Sequence, residues 1–279
     1  MKKFLLTAIA TLMFLPSCVK DEDTAFTPEL VVEGWIENDG FPVVLLGCTM
    51  PVSETSQDIN DYIAKWAKVT ISDGDTSIIL TGGYDKNYLP PYKYTTYNMV
   101  GKVGKTYTIT AEYKDLRATA STTIPEPVNI DSIRAIKCED DTSYYIKAYF
   151  QDAAHEQSDY YVLFSKRQQD KVYLFPFMGA ISDEYTQQPQ IIADVFRGVD
   201  YYSQIKREET QYFKQGDIVQ IKIAHVDEPS YRFWKSYSNY KELSSNMFFP
   251  YSQNMATNII GGKGYWCGYG ATKRSIKIK

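Results

Sequence analysis

Short runs of alternating apolar and polar residues fill the first half of the sequence, and turn-forming residues separate them. A period of two along such a run is typical of a strand with one buried face, and two runs around a short turn predict a hairpin. Three hairpins are predicted in this way, with turns at residues 38–40, 73–75 and 114–115. About seven short strands within about 100 residues predict an immunoglobulin-like β-sandwich over residues 28–125.

A second group of strands follows the Pro-Glu-Pro sequence at residues 125–127, which predicts a domain boundary because proline fixes φ and lacks an amide hydrogen. The motif Asp-Glu-Pro at residues 227–229 is typical of a helix start, and aromatic residues follow it at helical spacing up to about residue 243. The predicted fold class is therefore mainly β, with a second β-rich, sandwich-like domain at residues 126–279 that carries one or two helices. The strands predicted in this second domain are residues 130–137, 144–150, 160–166, 172–178 and 218–226.

The N-terminus has the pattern of an export signal. Lys2 and Lys3 follow the first methionine, and the apolar run at residues 4–15 is too short to span a bilayer. The sequence Leu-Pro-Ser-Cys at residues 15–18 resembles the lipobox of bacterial lipoproteins, in which the chain is cut before the cysteine and the cysteine is acylated. We therefore predict a signal peptide at residues 1–17 and lipidation of Cys18. The alternative is an ordinary signal peptide with a chance cysteine.

The acidic stretch after Cys18 bears on location. It resembles the export tag of surface lipoproteins in the Bacteroidota, and a solvated acidic linker is the alternative. Residues 18–27 are thus predicted as a lipidated tether, which holds the protein on the outer membrane with its folded part facing the cell exterior. The residues predicted as the surface-export signal are Lys20, Asp21, Glu22 and Asp23.

Composition adds a constraint on partners and a candidate contact loop. The formal net charge of −4 disfavours nucleic acid as a partner, because phosphate binding needs an excess of lysine and arginine. The chain has 24 tyrosines against 13 phenylalanines, and tyrosine favours strands and half-wet surfaces. Tyr88, Tyr92 and Tyr94 lie in a proline-rich loop and are predicted to contact a ligand or partner. The alternative is that their rings cover a sheet edge.

The sequence contains no established catalytic motif, neither H-E-x-x-H nor G-x-S-x-G. His155 is interpreted as a solvated loop residue. His225 precedes an acidic pair, which fits either a metal or general-base cluster or a strand end before a capped helix; we favour the second. Asp183 and Glu184 are interpreted as a solvated turn rather than calcium ligands, and no metal or cofactor is predicted.

The cysteine count leaves an odd thiol. Four cysteines are present, and lipidation of Cys18 leaves three, so that no complete disulfide framework forms. Cys138 and Cys267 have the option of pairing, but free thiols are the favoured interpretation.

Four segments, taken in order, resemble a known family. They are residues 30–36 (LVVEGWI), the strand from 104–107 leading to 124–125, residues 182–184 (SDE) and residues 258–266 (NIIGGKGYW). Together they resemble the Bacteroidota family of outer-membrane lipoproteins known as domain of unknown function 4249. Members are typically encoded beside TonB-dependent receptors, so the resemblance implies an accessory role in nutrient capture. It supplies no catalytic residues.

The predicted function is therefore that of a non-catalytic, surface-exposed outer-membrane lipoprotein that serves a TonB-dependent nutrient uptake system. Its predicted partners are the outer membrane, a TonB-dependent receptor and an unknown nutrient ligand. One alternative is a surface hydrolase acting on glycan or peptide, which needs His225 and a carboxylate. The other is a structural or adhesive cell-surface subunit.

Overall fold

The computed structural model describes most of the chain from residue 26 onwards. The predicted signal peptide, Cys18, the four export-signal residues and His155 lie outside the described residues. Within the described part, no helix is long and apolar enough to cross a membrane. The described ranges are residues 26–49, 59–140, 142–153, 158–184, 189–198, 211–244 and 255–279.

Strands dominate the described part before residue 125. The three predicted hairpins are confirmed, since β1 pairs with β2, β3 with β4 and β7 with β8, each antiparallel. Asp39, Gly74 and Lys114 adopt positive φ at the three turns, as many tight hairpin turns require. The elements are β1 (Leu30–Glu37), β2 (Val43–Cys48), a 3-10 helix (Ile59–Asp61), β3 (Lys68–Ser72), β4 (Ser77–Ile79), β5 (Thr81–Tyr84), β6 (Tyr92–Thr95), β7 (Thr106–Tyr113) and β8 (Leu116–Thr123).

Strands also dominate the described part after residue 125, together with a single α-helix. Four of the five strands predicted there are confirmed as β9, β10, β11 and β15, and the predicted helix is confirmed as α1. The elements are β9 (Ile130–Lys137), β10 (Ser143–Gln151), β11 (Tyr160–Arg167), β12 (Ala180–Ser182), β13 (Gln190–Val195), β14 (Phe213–Lys214), β15 (Ile218–Val226), α1 (Glu228–Ser244) and β16 (Gly262–Lys277).

The prediction of a strand at residues 172–178 is wrong, because this segment forms no strand. Pro176 has no amide hydrogen to donate to a ladder, and Met178 has a φ of 53°, which is outside the range of a strand. The aromatic pattern that suggested a strand serves helix packing instead. Phe175 lies next to Trp234 of α1, with ring centroids 5.8 Å apart.

The largest sheet joins the two halves of the chain. Its eight strands run in the order β12-β11-β15-β16-β1-β2-β6-β5. Strand β16 is long enough to serve both halves: Gly262 to Tyr269 pair parallel with β1, and Gly270 to Lys277 pair antiparallel with β15. The sheet therefore crosses the predicted domain boundary at residue 125.

Two smaller sheets pack against one face of the large sheet. The sheet β4-β3-β7-β8 packs on its β1–β2–β6 half, and the sheet made of β9, β10, β13 and β14 packs on its β11–β15 half. The opposite face, called the helix face below, carries α1, whose Phe233 and Trp234 pack against Tyr265 and Tyr269. The predicted mainly β, sandwich-like fold class is confirmed.

Candidate functional site

A cavity of about 300 Å³ opens on the helix face beside α1. One wall comes from β1, β2 and β6, and the other from β11, β15 and residues 171–175. Strand alternation directs Trp35 and Glu37 of β1 into the cavity, whereas Ile36 between them packs in the sandwich core. The volume lies at the lower end of the range for small-molecule pockets, about 300–1,000 Å³.

Aromatic side chains form much of the cavity lining. Trp35 and Tyr88 lie next to each other, with ring centroids 6.2 Å apart. Phe41 and Tyr97 meet edge to face at 4.9 Å and are 42% and 74% exposed, so they form the rim. Rings with one free face bind flat apolar surfaces of a ligand.

A half-buried carboxylate holds two lysines at the cavity. Glu37 Oε1 lies 2.6 Å from Lys273 Nζ, and Glu37 Oε2 lies 3.2 Å from Lys222 Nζ. Burial acts to raise the pKa of Glu37, but the charges and hydrogen bonds of the two lysines outweigh it and hold this pKa at about 2. Burial lowers the pKa of Lys222, and the charge of Glu37 acts against that change. Glu37 is therefore ionised at neutral pH.

Three aromatic rings surround the Lys222 ammonium. Its Nζ lies 4.6 Å from the ring centroids of Phe164 and Tyr173, and 4.9 Å from that of Tyr269. Ring faces attract a cation, so the cage offsets part of the hydration that Lys222 loses on burial. Similar cages bind quaternary ammonium ligands in other proteins. In this chain a side chain of the protein itself occupies the cage.

The charged residues that line the cavity are lysines with one exception. Lys93, Lys166, Lys171 and Lys222 line it together with Glu37. Four positive charges against one negative charge leave an excess of three within the described lining. The cavity is therefore electropositive although the chain as a whole is acidic.

The structure separates the three tyrosines that were predicted to contact a ligand or partner. Tyr88 lines the cavity. Tyr92 and Tyr94 point to the other face of β6 and are buried in the sandwich core, where the Tyr94 hydroxyl accepts a hydrogen bond from the Ala67 amide at 2.9 Å. The predicted contact role is therefore corrected for these two, since the sheet lies between them and the cavity. The alternation of β6 places Lys93 on the cavity side instead.

His225 and Asp227 have structural partners. Nδ1 of His225 lies 2.8 Å from the Glu126 carbonyl oxygen, and its Nε2 lies 3.0 Å from Asp159 Oδ1, so both ring nitrogens are engaged. Asp227 caps α1, because its Oδ1 accepts a hydrogen bond from the Ser230 amide at 3.0 Å. The favoured interpretation, a strand end before a capped helix, is confirmed for Asp227.

Glu184 is exposed, as expected for a solvated turn, whereas Asp183 is half-buried. One carboxylate oxygen from each of Asp152, Asp159 and Asp183 lies within 4.8 Å of the other two. Among the described residues, this is the group whose spacing could hold a metal ion. Asp183 accepts a hydrogen bond from the Asp159 amide at 2.8 Å, and burial raises the pKa of Asp183. Asp152 accepts one from the Tyr161 hydroxyl at 2.7 Å. Two carboxylates of this group thus already accept hydrogen bonds from donors of the protein itself.

The three cysteines of the described residues are free thiols: Cys48, Cys138 and Cys267. Cys267 is buried in β16, and burial raises its pKa to about 12. Cys138 follows the end of β9. The favoured interpretation, free thiols rather than a disulfide, is confirmed.

The fold and the cavity define a mainly β protein with a candidate binding site where both halves of the chain share one sheet. The chain belongs to the family described as a domain of unknown function (DUF4249), whose family model matches residues 18–275. The resemblance found in the sequence is thereby confirmed. A comparison with curated proteins finds no match.

Most of the residues that line the cavity were not predicted from the sequence. Glu37 and Lys222 are 185 residues apart in the chain, and no local pattern brings them together. One signal was present: a charged residue at an inward position of an apolar strand, as Lys222 is in β15, points to a buried partner.

Proposed function

We propose that this protein is a non-catalytic, lipid-anchored binding component of a TonB-dependent nutrient uptake system. The observation that carries the proposal is the cavity on the helix face, which combines aromatic walls with a few converging polar groups, as small-molecule sites do. Membership of the family supports it, because the resemblance implies an accessory role beside such a receptor. The family match also begins at Cys18, the residue predicted to carry the lipid.

Binding suits the groups at the cavity better than catalysis does. General acid–base catalysis needs a side chain that exchanges a proton near the working pH. Within the described lining, Glu37 is the one carboxylate, and its ion pairs with Lys222 and Lys273 keep it ionised. His225, which the hydrolase alternative needs, does not line this cavity and has both ring nitrogens engaged.

The N-terminal residues supply the anchor and the location in this proposal. Acyl chains on Cys18 hold the protein on the outer membrane, since burial of each CH₂ contributes about 0.8 kcal/mol, and Lys20 to Asp23 direct it to the outer face. Protease added to intact cells is expected to remove the protein. Survival of the protein until the outer membrane is broken would contradict exposure at the surface.

The partnership with a receptor is tested by purification at native expression. After gentle detergent extraction, the protein is expected to copurify with an outer-membrane β-barrel in a fixed ratio. The Cys18→Ala variant is the control, because without the lipid it is expected to leave the membrane and to lose the barrel. Repeated recovery of the wild-type protein alone would overturn the proposal.

A further inference from the structure

The cavity carries cations that the fold itself does not neutralise. Two of its four lysines are paired with carboxylates of the fold. Lys222 Nζ lies 3.2 Å from Glu37 Oε2, and Lys93 Nζ lies 2.9 Å from Asp85 Oδ2. Lys166 and Lys171 have no carboxylate of the described residues within ion-pair distance. In a chain with a formal net charge of −4, such a concave positive surface attracts and selects anions.

The unneutralised cations share the cavity lining with aromatic rings. Lys166 Nζ is 5.0 Å from the ring centroid of Tyr173, and Lys171 precedes that residue by two positions. The cavity also holds the neighbouring rings of Trp35 and Tyr88. A ligand that uses both features has an anionic group attached to a ring with a flat apolar face.

Cationic ligands are disfavoured by the same geometry. The cage of three rings that suits an ammonium group already holds Lys222. The one carboxylate of the described lining, Glu37, is bound by two lysines. The described lining therefore offers a cation no uncommitted carboxylate and no vacant cage.

We propose that the cavity binds a small carboxylate whose charge is attached to a six-membered ring with a flat apolar face, with the carboxylate at Lys166 and Lys171 and the ring against Trp35 and Tyr88. This inference rests on the proposed function, because it names the class of molecule that the same cavity takes. Acidic sugars and aromatic acids share this chemistry, and the choice of probes separates the two sources.

The test measures binding of matched probes to the lipidated protein in detergent by isothermal titration calorimetry. Galacturonate is compared with galactose, and 4-hydroxybenzoate with 4-hydroxybenzyl alcohol, so that each pair differs in the carboxylate. At least one acid is expected to bind about tenfold or more tightly than its neutral counterpart, with an affinity that falls as salt rises. The pair that shows the difference identifies the source.

A charge-matched pair of variants assigns the effect to the cavity. Lys166→Gln combined with Lys171→Gln is expected to lower the affinity for the preferred acid about tenfold. The control combines Lys235→Gln with Lys277→Gln, two exposed lysines outside the cavity lining, and is expected to bind as the wild type does. Both variants lose the same charge.

Three outcomes would overturn the inference. Equal affinity of acid and neutral counterpart in both pairs, or unchanged affinity in the cavity variant, removes the anionic class and leaves the binding function standing. Failure of all four probes to bind also removes it. The proposed function is judged independently, by whether the protein copurifies with a receptor.

Discussion

Lys222 keeps a charged nitrogen on the helix face almost out of contact with water, at 4% exposure. A buried ion is tolerated only where a partner charge replaces its hydration, and removal of that partner typically costs about 3–5 kcal/mol. We therefore expect Glu37→Gln to lower the free energy of unfolding by about 3 kcal/mol, measured by urea denaturation. The loss arises because Lys222 then stays buried without a carboxylate.

Two further variants test this explanation. Lys273 also binds Glu37 but has an exposed side chain, so Lys273→Gln is expected to cost less than about 1 kcal/mol. Replacing both partners, as Glu37→Gln with Lys222→Met, is expected to recover most of the stability, because no buried charge is left unpaired. Equal losses for Glu37→Gln and Lys273→Gln would show that Lys222 does not depend on Glu37.

Glu33, two residues before Trp35 on the same face of β1, makes stability depend on pH. Burial raises its pKa from 4.5 to about 7, and its Oε2 has no hydrogen-bond partner among the described residues. Between these two values the unfolded chain releases the proton whereas the folded chain keeps it, so the free energy of unfolding falls as pH rises. The contribution is complete below pH 4.5 and is lost by about pH 7, a change of up to about 3 kcal/mol.

The measurement compares unfolding of the wild type and Glu33→Gln from pH 4 to pH 8, so that shifts of other groups cancel. The variant is expected to gain stability relative to the wild type as pH rises through this window. Glu139→Gln, at an exposed position, is the control and is expected to run parallel to the wild type. Parallel curves for Glu33→Gln would mean that Glu33 is ionised in the folded protein.

At the scale of elements, α1 is tied to the sandwich through its cap. Asp227 accepts a hydrogen bond from the Ser230 amide at its N-terminus and another, at 2.8 Å, from the hydroxyl of Thr122 in β8. Asp227→Ala is expected to lower the free energy of unfolding by about 1–2 kcal/mol. Glu228→Gln, which removes only an exposed pair with Arg232, is expected to cost less than about 0.5 kcal/mol. A similar loss in both variants would contradict the capping role.

The elements that the sequence predicts well are those whose signals are local. The three hairpins have turn residues between alternating runs, and α1 has a cap, a proline in its first turn and an aromatic stripe. The failed strand at residues 172–178 shows the limit, because an apolar run alone does not say which layer it packs against. The short strands β12, β13 and β14 were not predicted, since their pairing depends on distant partners.

Of the three residues that the sequence predicted for ligand or partner contact, only Tyr88 lines the candidate site. Tyr92 and Tyr94 have the composition of a contact loop, but β6 is a strand whose alternation sends them to the core. The ion pair of Glu37 and Lys222 joins residues 185 positions apart, which requires the topology of the large sheet. Sequence patterns report neighbours within a few residues, whereas the cavity is built from register between strands that are far apart in the chain.

At the scale of the whole molecule, β16 makes one sheet from two halves of the chain. Trp266 of β16 is fully buried in the first sandwich core, and its Nε1 donates a hydrogen bond to the Tyr107 carbonyl at 2.9 Å. Ile278, just after the same strand, is buried in the second core. Because the cavity is lined by both halves, its shape depends on this shared strand.

The shared sheet leads us to expect one cooperative unfolding transition for the intact protein. A domain boundary that also separates the sheets allows each half to melt alone, whereas a common strand couples their stabilities. Ile109→Ala in the first core and Phe150→Ala in the second remove fully buried side chains, at a cost of about 2–5 kcal/mol each. Each variant is expected to shift the whole transition, followed by calorimetry and by circular dichroism.

The control is Ile79→Ala, at a position that is 61% exposed, which is expected to leave the transition in place. Two separate transitions, with Ile109→Ala moving one and Phe150→Ala moving the other, would show that the halves fold independently in spite of β16. A single shared transition instead means that the two halves unfold as one unit, as expected when both pair with β16, so that one cooperative unit carries both walls of the cavity.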